Sequence, residues 1–224
     1  MNRRRKPVVA IDGPVGVGKS TVASQVAERL GFLFIDTGAM YRAVTLKAMR
    51  QGLDPMDEES VAKLVRSTQL HFVRSEEGLR IYCDGDDVSE EIRLPEVSAA
   101  IAPIADNMAV RQRLVALQQE LGKDGGVVME GRDIGTVVFP DAELKIYLDA
   151  DPKVRAHRRF RELRGKGREA TYEETLRALI QRDNRDRSRE VGGLRIADDA
   201  RVLDTTYLTQ EQVIDRIVRM VQEY

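Results

Sequence analysis

Val8-Val9-Ala10-Ile11 followed by Gly13-Pro14-Val15-Gly16-Val17-Gly18-Lys19-Ser20 decides the fold: an apolar run feeds a complete G-x-x-x-x-G-K-[ST] loop. Glycines at these positions let backbone N–H groups turn inward around an anionic phosphate chain. Lys19 reaches the terminal phosphates, and the Ser20 hydroxyl completes a Mg²⁺ shell. Beyond the loop, Val22, Ala23, Val26, Ala27 and Leu30 fall on one face of a predicted helix that Gly31 stops. The start of that helix points its free amides at the phosphates. Strand, Gly-rich loop and helix in this order predict a nucleoside triphosphate site.

The rest of the chain extends the same pattern. Phe32-Leu33-Phe34-Ile35-Asp36, Val127-Val128-Met129, Leu144-Lys145-Ile146-Tyr147-Leu148 and Arg201-Val202-Leu203 read as short strands buried on both faces. Helical periodicity lies between them over 39–51, 57–68, 95–105 and 110–121. Later helices carry start signals: Asp151 before Pro152, and the capping boxes Thr171-x-x-Glu174 and Thr209-x-x-Gln212. Such alternation predicts an α/β fold with a parallel sheet. Two stretches depart from it. Leu70–Val73 and Leu79–Cys83, joined by a polar turn over 74–78, predict a small antiparallel hairpin. The Arg-dense segment 155–168, ending at Gly165-Lys166-Gly167, lies where a mobile cover hinges.

The composition bounds the partners. At 224 residues the chain fits one domain of ordinary size. Lys plus Arg (36) nearly balance Asp plus Glu (37), so no overall field favours nucleic acid or membrane, and partners must be sought in local charge. One cysteine, Cys83, excludes an internal disulfide framework, and His71 and His157 are too isolated for a His/Cys metal site. A reducing cytoplasm fits this usage. The basic segment Asn2–Lys6 reads as a solvated arm, because the apolar run after it ends at Asp12-Gly13.

Local charge gathers in a few places. Arginines from Arg155 and Arg158 to Arg189 outnumber the acids among them. They suit either a lid whose guanidiniums fork onto phosphate oxygens or a solvated helix face paired with Glu162 and Glu169. Within the segment 182–189, Arg182, Asp186 and Arg189 fall near one helical face, arranged to hold a sugar and a phosphate or to form an exposed ladder. Glu130-Gly131-Arg132-Asp133 follows a buried strand, and strand carboxyl ends are where open α/β sheets bind ligands. There Arg132 clamps an acceptor phosphate, Asp133 bonds a base edge and Glu130 orders water on Mg²⁺. Asp36-Thr37-Gly38-Ala39-Met40-Tyr41-Arg42 ends the second strand similarly, and Asp149 suits a Walker B carboxylate or a helix start. No Asn-Lys-x-Asp guanine reader and no Leu-Ser-Gly-Gly-Gln signature occur, which leaves a small kinase.

Ile11-Asp12-Gly13-Pro14 through Ser20-Thr21, 36–42, Glu130-Gly131-Arg132-Asp133-Ile134-Gly135-Thr136, Phe139-Pro140-Asp141-Ala142 and 182–189 together resemble the bacterial cytidylate kinases, almost end to end. The resemblance implies a P-loop NTPase domain over 1–224, three-layer α/β/α with a five-stranded parallel sheet. It also implies a small antiparallel NMP-binding insertion near 69–94 and a short helical lid near 154–170. ATP would lie against Gly13, Pro14, Val15, Gly16, Val17, Gly18, Lys19, Ser20 and Thr21. Arg42, Arg132 and Arg189 would hold the acceptor phosphate, with Thr37 alongside. Arg111 and Asp133 would read cytosine, Arg182 with Asp186 would hold the ribose, and Arg158 would face the transferring phosphoryl group beside Lys19. Where relatives carry a base-reading Ser, this chain has Ala102, with Ser98 one turn earlier.

The implied reaction is Mg²⁺-assisted transfer from ATP to CMP or dCMP by a cytoplasmic monomer without nucleic-acid or membrane partners. A shikimate-type metabolite kinase and a nucleotide-binding regulatory or RNA-associated protein without turnover are the competing classes. The paired sugar and phosphate residues favour a nucleotide acceptor over the first.

Overall fold

The computed structural model describes residues 6–75, 78–165 and 167–224. Most of the basic arm, Glu76 and Glu77 of the expected turn and Lys166 of the expected lid tip lie outside the described residues. In chain order the strands are β1 (Val8–Asp12), β2 (Leu33–Asp36), β3 (Leu70–Ser75), β4 (Gly78–Cys83), β5 (Asp86–Asp87), β6 (Val127–Gly131), β7 (Leu144–Asp149) and β8 (Arg201–Asp204). The α-helices are α1 (Lys19–Leu30), α2 (Thr37–Arg50), α3 (Glu58–Arg66), α4 (Pro95–Asp106), α5 (Met108–Gly122), α6 (Pro152–Gly165), α7 (Tyr172–Ser188) and α8 (Gln210–Gln222). Two compact units result: one of the described residues up to Ile35 with Gly122–Tyr224, the other of Asp36–Leu121.

The first unit is built on a parallel sheet in the order β2-β6-β1-β7-β8. Val8 stands opposite Val127 and Asp12 opposite Gly131, while on the other side Val9 meets Leu144 and Asp12 meets Tyr147. With both edges of its backbone paired, β1 is wholly buried. Val9, Ile11, Val128, Ile146 and Leu148 pack with Val22, Ala23 and Val26 of α1 and Val213, Ile214 and Ile217 of α8 in one core. Val8, Ala10, Val127 and Met129, on the opposite side by the period of two, are equally buried, so both sheet faces are covered. This is the expected three-layer architecture. Strands extend to both sides of β1, so its carboxyl end, where Gly13 begins, is a switch point of the sheet.

Two strands differ from expectation. Among the described residues β2 and β8 are sheet edges rather than strands buried on both faces; in β8 only Leu203 is buried, and Val202 is 56% exposed. Phe32 falls outside β2 because Gly31 ends α1 in the left-handed region (φ 63) and the Phe32 N–H returns to the Ala27 carbonyl.

In the second unit β3 and β4 pair antiparallel, Leu70 opposite Cys83, as the hairpin pattern predicts. A third strand, β5, continues the sheet through a tight turn with Asp84 at φ 53 and Gly85 at φ 95. Asp84-Gly85 is a strong hairpin signal in the sequence, beyond the expected two-strand hairpin. Asp36 starts α2 by accepting the Ala39 N–H at 3.0 Å, and Asp57 starts α3 by accepting the Ser60 N–H.

Candidate active site

The loop leaves β1 at Gly13, where no side chain fits: a Cβ would stand 2.2 Å from the Leu148 carbonyl oxygen of β7. Gly18, at φ 94, turns the chain into α1, and Lys19 opens the helix with its side chain buried. Lys19 Nζ donates to the Pro14 carbonyl at 2.8 Å, across the loop. Burial, and then the Arg132 guanidinium, push the Lys19 ammonium well down; Glu130, Asp12 and Asp186 oppose the shift. An anionic ligand beside this ammonium would favour its charged form.

Two carboxylates at strand ends flank the loop. Buried Glu130 of β6 accepts a hydrogen bond from the Ser20 hydroxyl, so the two oxygen donors expected around Mg²⁺ meet. Hard oxygen donors of this kind suit that ion. Among the described residues no three or more His, Cys, Asp and Glu gather into a metal cage. Asp12, the last residue of β1, accepts the Ile134 N–H at 2.9 Å and the Gly135 N–H at 2.8 Å. These amides open a π-helical turn, Ile134–Val138, directly after Arg132-Asp133. Burial pushes the Asp12 carboxyl up to about 6, against the pull of the two amides.

Arg132 Nε donates to Asp186 Oδ2 at 2.8 Å, and Arg189 Nη2 stands 3.6 Å from Asp186 Oδ1. Burial disfavours the Asp186 carboxylate, but the charge and hydrogen bond of Arg132, then Arg182 and Arg189, hold its pKa below the ordinary value. Four of the expected acceptor residues, Arg132, Arg182, Asp186 and Arg189, thus form one charged group, and Arg132 and Asp186 both act on Lys19. Asp133 is buried beside them in sequence, at the head of the π turn.

In the second unit, Thr37 is the buried first residue of α2. Arg42 Nη2 donates to Asp36 Oδ2 at 2.7 Å, while its buried Nε has no partner among the described residues. Arg111 is buried, with its guanidinium carbon 6.0 Å from the Tyr41 ring centroid and Nη1 3.5 Å from the Ala105 carbonyl. Ala102 is half-buried on α4 and Ser98 is exposed.

The arginine cluster divides. Arg155 is not presented on an open helix face: it is 2% exposed and bonded to Asp183, Val15 and Ala150. An arginine on a predicted helix carries no sequence mark of whether it will be buried. Arg158 donates to the Thr205 carbonyl at 2.7 Å and lines a cavity of about 150 Å³. Val17, Gly18, Thr21, Val22, Leu208 and Val213 complete most of that wall. Tyr207, between Thr205 and Leu208 in the chain, is 94% exposed. Asp149 accepts the N–H of its neighbour Ala150 at 2.9 Å, while the helix start falls to Asp151, which accepts the Lys153 N–H at 2.7 Å.

Asp12 and the Arg155–Asp183 pair were missed as site residues. For Asp12 a signal exists, an acid ending an otherwise apolar buried strand at the loop's root. Asp183 had no signal beyond its place in a charged run.

A family model described as cytidylate kinase matches residues 9–223. The cytidylate kinase of Pelotomaculum thermopropionicum is 49% identical over 216 residues, covering 96% of this chain and 96% of the relative. That of Geobacter sulfurreducens is 46% identical over 220 residues, 98% and 94% of the two chains. Among solved structures, an uncharacterized protein from Eubacterium ventriosum shares the fold, with a TM-score of 0.54 at 12% identity over 98% of this chain and 100% of that one. With a match that spans loop, Gly-Arg-Asp turn and arginine-rich helix alike, the chain belongs to the cytidylate kinase family.

Proposed function

We propose that this protein transfers the γ-phosphoryl group of ATP to CMP or dCMP, giving CDP or dCDP, by direct in-line displacement. The observation that carries the reading is the proximity in the first unit of Lys19, on the donor loop, to the Arg132–Asp186 pair expected to hold the acceptor. Two cationic groups of opposite assignment act on each other there, as a reaction joining two phosphates requires. An acceptor phosphate is already an anionic nucleophile at neutral pH, so positioning and charge neutralisation by Lys19, Arg132 and Arg189 supply most of the acceleration. No covalent enzyme intermediate is needed.

Glu130 and Ser20 would hold Mg²⁺, Glu130 through water, and the ion would supply positive charge against the negative charge of the phosphates. Arg42 offers its unpartnered Nε to acceptor phosphate oxygens, Asp186 with Arg182 takes the ribose, and Asp133 and Arg111 read the cytosine edge. Thr37 supports the same acceptor. The cavity beside Arg158, apolar through Val17, Val22, Leu208 and Val213, suits the planar base of ATP. The reading includes a cytoplasmic monomer without nucleic-acid partners; the single cysteine and near-zero net charge are consistent with it, and among the described residues no helix is long and apolar enough to cross a membrane.

ADP release coupled to CMP, dCMP, UMP, AMP and shikimate tests the proposal. Turnover is expected with CMP and dCMP. Turnover with shikimate alone would favour a metabolite kinase, and silence with every acceptor would remove both kinase readings.

A further inference from the structure

One buried ion pair holds both backbone polar groups of Val15. Asp183 Oδ1 accepts the Val15 N–H at 3.1 Å, and Arg155 Nη1 donates to the Val15 carbonyl at 2.9 Å. The same Nη1 donates to Asp183 Oδ2 at 2.7 Å, and Arg155 Nε donates to the Ala150 carbonyl at 2.9 Å. Arg155 comes from α6 and Asp183 from α7; they are 2% and 3% exposed. Charges that deep are costly to desolvate, and apolar side chains of similar volume join two helices as well or better. Joining two helices does not by itself call for such a pair, whereas its bonds to both backbone groups of one phosphate-loop residue do.

Those bonds fix directions. The loop's peptide bonds are trans, so the N–H and C=O of each peptide unit point opposite ways. With the Val15 N–H on Asp183, the Pro14 carbonyl faces the other side, where Lys19 Nζ meets it at 2.8 Å. With the Val15 carbonyl on Arg155, the Gly16 N–H likewise faces away from the Arg155 guanidinium. Gly16, at φ 74, is a residue whose backbone rotates freely unless something holds the neighbouring peptide. A bound phosphate chain needs its donors aimed before it arrives, because ordering them afterwards weakens binding.

We propose that Arg155 and Asp183 are positioning residues for the donor nucleotide: they preset the Gly16 N–H toward the phosphate chain, so that ATP binds without reordering the loop. The inference rests on reading Gly13–Ser20 as the ATP phosphate site. Calorimetry of ATP binding to the unaltered protein separates the two, since no binding there would overturn that reading and the inference with it. The double variant Arg155→Met/Asp183→Leu leaves the Val15 and Ala150 backbone groups without these partners, so it is expected to melt at a lower temperature while still folding, and to bind ATP about tenfold more weakly, with KM for CMP changed less than about twofold. Unchanged ATP affinity in the folded double variant overturns the proposal, as does an equal rise in the constants for both nucleotides. If the double variant does not fold, Arg155→Lys decides, because it keeps the charge beside Asp183 but not the planar fork that spans the Val15 and Ala150 carbonyls. Several-fold weaker ATP binding with CMP unaffected supports the pair's role, and unchanged ATP affinity ends it.

Discussion

Lys19 and Asp12 show how burial prepares single residues at the mouth of the loop. Lys19 has lost most of its water, with burial and Arg132 both disfavouring its charge, so the folded chain keeps an ammonium that is more comfortable with phosphate than without it. Lys19→Ala is therefore expected to lower kcat at least about a hundredfold without lowering the melting temperature. Near-normal turnover in a coupled assay would refute the loop's assignment. Asp12 titrates in the opposite sense to an ordinary paired carboxylate. Its pKa rises from 3.8 to about 6 on folding, so the folded state holds the extra proton between those values. The contribution of Asp12 to stability falls as pH climbs through that window. Replacing it with the neutral amide, Asp12→Asn, removes this titration. Denaturant unfolding should show the variant gaining on the unaltered protein by up to about 3 kcal/mol between pH ~4 and ~6, and a constant difference would contradict the shift.

At the scale of elements, the sequence carried most of what the structure holds wherever local chemistry was strong. The Thr171 and Thr209 capping boxes are both formed, with Thr209 accepting the Gln212 N–H and Gln212 returning to Thr209. Helix α8 hangs its packing face, Val213, Ile214, Ile217 and Val221, on that start. Thr209→Ala should cost about 1 kcal/mol in a thermal melt, with both nucleotide KM values unchanged. Legibility failed where neighbours rather than local pattern decide. The apolar runs in β2 and β8 hold no record of how many strands flank them, so their edge positions were invisible. Asp12 and Asp183 act through backbone amides far along the chain, at Ile134 and Val15, and no spacing rule connects such partners.

For the whole molecule, composition and order fixed the class, and tertiary contacts assigned the charges. A net charge of −1 gives no overall attraction for nucleotides, so capture must come from the local cations around Lys19 and Arg132. Raising ionic strength should accordingly lower kcat/KM for CMP, despite the near-neutral total, and a flat response would argue against local steering. The arginine-rich stretch looked uniform in sequence, yet Arg155 became buried structure, Arg158 cavity wall and Arg189 part of the Asp186 group. The exposed position of Tyr207, beside residues that line the cavity next to Arg158, has a practical use. The chain contains no tryptophan, so Tyr207→Trp would give it a single indole fluorophore against a dark background. ATP titration of that variant should change its emission intensity or wavelength, which would make donor occupancy visible in a stopped-flow instrument without labelling either nucleotide.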